Sequence, residues 1–534
     1  MADLVHELIS ESAMRTPDAE AVAYQGQRLN YGSLVGKINA MSSALLSLGL
    51  DRNERVAVYI EKRIETVVAL FGCSTAGGVF VPINPLLKPE QVAYILCDCN
   101  VRILVTSAER LSYLGNVLKK CQGLHTVVVV GTTQALPPFP GINIVPWNDV
   151  PRATQSAQAH RTIDSDMAAI LYTSGSTGMP KGVVLSHRNL VAGAKSVAEY
   201  LHNTAGDRIL SVLPLSFDYG LSQLTTAFYC GASIVLMNYL LPRDIIKAVK
   251  DERITGLAAV PPLWIQLGQQ KWEEGTRLRY ITNSGGKMPR STLSTLRNLL
   301  PQSKIYLMYG LTEAFRSTIL SPTELDKRPD SIGKAIPNAE VMVVRQDGTL
   351  CDVNEPGELV HRGALVALGY WNDPEKTAER FKPAPRQDAG LTFPEIAVWS
   401  GDTVSMDEDG FLYFIGRNDD MIKVSGYRVS PTEVEEVVHT LAGVAEVAAM
   451  GIPHATLGQA IAVVVHCIDA KLTHKLVMEE CQRRLPAYMV PAHIEIWKEP
   501  LPRNSNGKID RKSLQVSLIS QFSSSSQFDS ELKI

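Results

Sequence analysis

Three glycines, four hydroxyl side chains and one lysine fall within Tyr172-Thr-Ser-Gly-Ser-Thr-Gly-Met-Pro-Lys-Gly-Val183. Glycine permits tight backbone turns. Ser and Thr hydroxyls and free amides donate to phosphate oxygens, and Lys181 supplies positive charge. The stretch predicts a polyphosphate cradle built from Thr173, Ser174, Gly175, Ser176, Thr177, Gly178 and Lys181. No G-x-x-x-x-G-K-[ST] can be laid on it, which disfavours a P-loop NTPase. The alternative is an unspecialised flexible loop.

Such a cradle needs a strand to deliver it and a helix to receive it. The apolar run at 168–171 precedes it and a helical pattern at 190–201 follows. Similar β-branched runs at 127–130 and 234–236 alternate with amphipathic stretches such as 290–300, the mark of α/β layers around buried, largely parallel strands. Residues 133–158, rich in Pro, Gly, Ala and Gln around PPFPG, read as a surface connection. A division falls near Gly416 to Asp420, where DEDGFLYFIG looks like a closing hairpin. Beyond it, a strand at 424–429, a helix at 431–442 with Ser430 as N-cap, and strands at 444–450 and 460–467 describe a small α+β module. The expected organisation is a core over 1–416, a hinge over 417–419, a mobile domain over 420–515 and a Ser-rich tail over 516–534.

The 534 residues carry 52 Lys plus Arg against 55 Asp plus Glu, a net charge of −3 that is too weak and of the wrong sign to attract nucleic acid. No apolar run approaches the roughly 18 residues of a membrane span. The opening MADLVHELISES has acids where a signal peptide carries positive charge, so a cytoplasmic location is expected. Eight scattered cysteines then predict reduced thiols, and Cys97-Asp98-Cys99 lacks the second cluster that a zinc site needs.

The 172–183 stretch resembles the signature loop of the AMP-forming adenylating enzymes, the superfamily of acyl-CoA synthetases, luciferases and amino-acid adenylation domains. Tyr309-Gly-Leu-Thr-Glu313, Trp399-Ser-Gly-Asp402, Gly416-Arg-Asn-Asp-Asp-Met-Ile-Lys-Val-Ser-Gly-Tyr-Arg428 and Pro502-Arg-Asn-Ser-Asn-Gly-Lys508 resemble its later motifs in the same order. The resemblance implies a large N-terminal domain of layered α/β subdomains and a small mobile α+β domain. It also implies ATP and Mg²⁺. Tyr309 would offer adenine an aromatic face, Thr312 a phosphate-facing hydroxyl and Glu313 a hard oxygen for the metal. Asp402 would hold the ribose hydroxyls and Arg417 the ribose or phosphate, with Gly285, Gly286 and Gly310 completing the nucleotide site. Read alone, Tyr309 is a core aromatic, Asp402 a turn residue and Arg417 a surface cation. Lys508 would bridge the substrate carboxylate and the α-phosphate. Asp419 would be the hinge between an adenylating and a thioester-forming orientation, and Gly426 the point where a pantetheine arm passes.

The acid is read from Pro214-Leu-Ser-Phe-Asp-Tyr-Gly-Leu221. Phe217-Asp218 is similar to the Phe-Asp of amino-acid adenylation domains. A carboxylate in an apolar pocket needs a cation, which an α-ammonium would provide. The alternative is that Asp218 caps the helix beginning near Tyr219. With Tyr219, Ser222, Ser284, Met308 and Ser317 as further pocket residues, the expectation is a small amino acid, proline first. The chain also resembles free-standing prolyl-carrier-protein ligases and exosortase-associated acyl-CoA ligases. Arg316 departs from the pattern: pointing inward, it would pair with Asp218 and remove the argument for an amino acid. No carrier domain follows Lys508, so the expected acceptor is a free-standing acyl or peptidyl carrier protein, with CoA as the alternative. The rival function is an acyl-CoA ligase for a non-amino carboxylic acid.

Overall fold

A computed structural model describes residues 2–133, 136, 138–150, 159–173, 179–273, 275–385, 390, 392–417, 421–467, 472–503 and 509–524, with the backbone alone at 417 and 521–524. Ser174 to Gly178, Asp419 and Lys508 lie outside these residues.

Among the described residues the strands form sheets of fourteen, eight and five. In the eight-stranded sheet, Arg55–Tyr59, Val79–Pro82, Val101–Ser107, Thr126–Val130 and Asn143–Pro146 run parallel, and Met167–Thr173 lies parallel to Val79–Pro82. Thr126–Val130 is TVVVV and wholly buried, as a parallel strand covered on both faces requires. In the large sheet, Arg208–Ser211, Ser233–Leu236, Gly256–Ala259, Tyr280–Asn283 and Lys304–Tyr309 are parallel neighbours. Antiparallel strands then continue to Leu412–Arg417, Ile396–Met406 and beyond. Helices Ile64–Ala76, His187–Leu201 and Asp218–Cys230 pack into one core with strands of both sheets. Ile64–Ala76 is apolar around most of its circumference, which suits a helix sandwiched between layers.

The five-stranded sheet belongs to the small C-terminal domain and has apolar clusters on both faces. Val434, Val438 and Val477 cover one; Leu501, Leu514 and Leu518 cover the other. The run 424–429, expected as one strand, is instead part of a hairpin, Ile422–Val424 and Tyr427–Val429. Ser425 and Gly426 take φ of 50° and 84°, the left-handed pair that a two-residue hairpin turn demands. The following helix is Pro431–His439, and Ser430 occupies its N-cap without a side-chain capping bond. The 133–158 connection contributes a strand, Asn143–Pro146. The segment expected as a tail from 516 begins inside helix Arg511–Ser524, whose Leu514 and Leu518 are buried one turn apart; the serines conceal that spacing.

Candidate active site

The parallel strands of the large sheet end on a common edge, where open α/β sheets place their ligands. Arg208–Ser211 leads into the Pro214 to Asp218 loop, Tyr280–Asn283 into Ser284-Gly-Gly286, and Lys304–Tyr309 into Gly310-Leu-Thr312. These loops, Thr173 and Asp402 line one cavity of about 370 Å³ with Gly426, Tyr427, Arg428, Glu433 and Tyr488 of the small domain. Of the sequence-identified residues, Thr173, Phe217, Asp218, Tyr219, Ser284, Gly285, Gly286, Met308, Tyr309, Gly310, Thr312, Asp402 and Gly426 meet there. Lys181, Glu313, Ser222 and Ser317 are not among its lining residues.

At the nucleotide end, the Tyr309 hydroxyl donates to the Asp402 carboxylate, so the residues expected at adenine and ribose are held together. The backbone of Arg417 lies opposite Asp402 in the adjoining strands. Gly285 has φ +82°, a turn that suits glycine. Lys181 Nζ lies 3.1 Å from the Tyr370 hydroxyl, which donates to Glu313 Oε1 at 2.6 Å. Burial pushes the Lys181 ammonium down to about 8, with Glu313 opposing and Arg380, Arg428 and Lys376 adding to the shift. Burial also acts to raise Glu313, but Lys181, Arg428 and Tyr370 outweigh it and hold the carboxyl below its ordinary value. An ionised Glu313 and the Thr312 hydroxyl are hard oxygens of the kind Mg²⁺ takes. Among the described residues no group of three or more His, Cys, Asp or Glu could hold a metal.

At the acid end, Asp218 is the first residue of helix Asp218–Cys230, not its N-cap. Its Oδ2 accepts from Arg316 Nη1 at 2.9 Å, and the side chains are 9% and 2% exposed. This corrects the argument for an amino acid: the carboxylate already has a cation. Arg316 Nη1 also donates to the Phe315 carbonyl, and the guanidinium sits 4.7 Å from the Tyr219 ring centroid. Ser222 and Ser317, expected as pocket residues, do not line the cavity: Ser317 Oγ pairs with His361 Nδ1 at 2.9 Å, and Ser222 is buried one turn beyond Asp218. Lys62 is a residue that sequence reasoning does not find. Its Nζ donates to the Val212 and Leu213 carbonyls at 2.6 and 3.1 Å, tethering the acid-side loop, and burial lowers it to about 7. Tyr370 is another, and neither residue belongs to a local motif that could have revealed it.

The small domain closes the cavity. A Cβ on Gly426 would stand 2.9 Å from Val260 Cγ1 of the large domain. The Tyr427 and Tyr488 rings stack at 4.0 Å, and Gln91 Nε2 donates across the domain boundary to Glu433 Oε1 at 3.0 Å. No helix among the described residues is long and apolar enough to cross a membrane.

The AMP-binding enzyme family model matches residues 9–371, and that of the AMP-binding enzyme C-terminal domain matches 433–508. A long-chain-fatty-acid–CoA ligase of Salmonella typhimurium is 31% identical, over 95% of this chain and 93% of its own. A linear gramicidin synthase of Brevibacillus parabrevis is 29% identical over 96% of this chain, which spans only 10% of that synthase. The amide bond synthetase McbA of Marinactinospora thermotolerans shares the fold with a TM-score of 0.84 at 21% identity, covering 96% of this chain and 99% of its own. Match length and fold agree with the order of the loops around the cavity: the chain belongs to the AMP-binding enzyme family of adenylating, AMP-forming ligases.

Proposed function

We propose that the protein activates a compact, non-amino carboxylic acid with ATP and Mg²⁺ and passes the acyl group to the thiol of a pantetheine arm. A carboxylate oxygen of the acid attacks the α-phosphorus, the bond to pyrophosphate breaks, and an acyl-adenylate forms. The thiol then attacks the acyl carbon, its proton is lost, and AMP leaves. The observation that carries the choice of acid is the Asp218–Arg316 pair, because a buried carboxylate already matched by a cation offers no charge to an incoming ammonium.

In this reading Lys181 and the 173–178 loop hold phosphate oxygens, Glu313 and Thr312 face the metal, and Asp402 meets the ribose with Arg417 beside it. Lys508 approaches the α-phosphate when the small domain turns about Asp419. Positioning and charge stabilisation suffice, so no protein nucleophile is needed. Gly426 and the Tyr427–Tyr488 stack border the path of the thiol arm, which CoA and a carrier protein both present. A small amino acid such as proline, loaded onto a carrier protein, would have to displace Arg316 from Asp218.

Pyrophosphate exchange over a panel of fatty, aryl and amino acids tests the reading, followed by thioester formation with CoA and with a phosphopantetheinylated carrier. Exchange with fatty or aryl acids is expected. Exchange with proline or another amino acid alone would overturn the choice of acid.

A further inference from the structure

Cys97 and Cys99, the close pair in sequence, are not the pair in space. Cys99 caps the helix Pro89–Asp98 and its Sγ donates back to the Ile95 carbonyl at 3.1 Å. Cys97 Sγ instead lies 3.4 Å from the Sγ of Cys121, which follows the 3₁₀ helix Gly115–Lys120. Carbonyls flank both sulfurs, that of Lys120 at 3.4 Å from Cys97 and that of Ala93 at 3.7 Å from Cys121. Cys97 is half-buried, whereas Cys121 is 4% exposed. One thiol is open to a small reagent, and the other is buried beside it.

The residue after Cys97 ties this corner to the cavity. The Asp98 carboxylate accepts from the Tyr172 hydroxyl, and its carbonyl accepts from Trp371 Nε1 and Asn372 Nδ2, both at 2.9 Å. Tyr172 lines the cavity directly before the 173–178 loop, and Trp371 follows Tyr370, whose hydroxyl joins Lys181 to Glu313. A shift at Cys97 therefore reaches residues expected to hold ATP.

We propose that Cys97 and Cys121 are an oxidisable dithiol, a modification site that reacts with a peroxide and weakens ATP binding when it closes to a disulfide. ATP binding alone is needed for this, whichever acid the enzyme activates. The Cys97 thiol loses its proton, and its sulfur attacks one oxygen of hydrogen peroxide; the O–O bond breaks, the first water leaves, and Cys97 becomes a sulfenic acid. The Cys121 sulfur then attacks the Cys97 sulfur, the S–S bond forms, the S–O bond breaks, and the second water leaves. The two thiols lose two electrons and two protons to the peroxide. Burial and the contact with Cys97 push the Cys121 thiol up to about 12, which leaves the first step to Cys97. A disulfide holds its sulfurs about 2.05 Å apart, so closure from 3.4 Å draws the two segments together by about 1 Å.

The test treats the reduced protein with hydrogen peroxide, maps cross-linked peptides by mass spectrometry without reductant, and measures the Kd of ATP with Mg²⁺ by calorimetry. A cross-link between the peptides holding Cys97 and Cys121, with two hydrogens lost, is expected. ATP should bind roughly tenfold more weakly, since a misplacement of about 1 Å in a positioned site can cost about 100-fold. Dithiothreitol should reverse both changes. Cys97→Ser and Cys121→Ala cannot close the bond; each should bind ATP like the reduced parent, before and after peroxide. Cys351 is likewise half-buried, with its Sγ against the Pro356 carbonyl, and should be oxidised without cross-linking. Oxygen added at Cys97 with no cross-link, a cross-link with unchanged ATP affinity, or an equal loss of affinity in both variants would overturn the inference.

Discussion

Glu313 and Asp218 are 5% and 7% exposed, and each stands beside a cation, yet burial loses at the first and prevails at the second. Lys181, Arg428 and the Tyr370 hydroxyl hold Glu313 below the usual carboxyl range. Asp218 is raised by burial, against which Arg316 is its main support, and Glu313 itself adds a like charge. Burial alone therefore does not set a carboxyl's state; the number and placement of its donors do. Glu313, which we propose faces the metal, keeps an ionised carboxylate, while Asp218 in the proposed acid pocket belongs to a self-neutralised pair.

The contrast breaks most visibly on removing one member of the pair. Arg316→Met leaves Asp218 buried alone and should cost about 3–5 kcal/mol in urea unfolding, most of it recovered by adding Asp218→Asn. A cost near the 0–1 kcal/mol of an exposed ion pair would mean that the acid end is open to water. Glu313→Gln should slow pyrophosphate exchange roughly 100-fold, alike for every acid, whereas changes at Arg316 should depend on the acid offered. The same variant tests linkage. Because the folded-state value of Glu313 is lowered, its contribution to stability is present above its ordinary value of 4.5 and is lost as pH falls through the folded value. The acid limb of the stability profile should flatten accordingly.

Smaller effects belong to the domain boundary that closes over both ends. At Gly426, φ is +84° and Val260 crowds the Cβ position. Gly426→Ala should cost about 1–2 kcal/mol in backbone strain and slow the thioester half-reaction about tenfold, read with supplied acyl-adenylate. Burial raises Glu433 to about 7, with the Gln91 bond opposing. A raised carboxyl favours the folded contact in its neutral form, so the contact is strongest below the ordinary value of 4.5 and weakens as pH rises through about 7. Glu433→Gln should flatten the pH dependence of the thioester step across that range, with a maximal rate within about twofold of the parent.

Much of the end expected to take the nucleotide was legible because its residues sit in compact runs. Gly310 to Glu313 and Ser284 to Gly286 each follow a strand directly, so neighbours in sequence remain neighbours at the sheet edge. Tyr370 reaches the same place from far along the chain, through the short strand Gly369–Tyr370 paired with Lys181–Ser186. Nothing near Tyr370 announces that contact. The two-residue turn at Ser425–Gly426 is hidden because the β-branched residues on both sides of it read as one strand. In helix Arg511–Ser524 the serines obscure two buried leucines.

By itself the sequence determined many of the segments that form strands, the loops that follow them and the residue types expected to meet phosphate, since these depend on local spacing and backbone preference. It also supplied both Asp218 and Arg316, but not their union. Their loops follow the strands Arg208–Ser211 and Lys304–Tyr309, which stand apart in the sheet with Gly256–Ala259 and Tyr280–Asn283 between them. Only the order of the strands, and the helix that turns Asp218 inward, bring the charges within 2.9 Å. That contact depends on long-range packing, and it alters which acid we propose for the pocket.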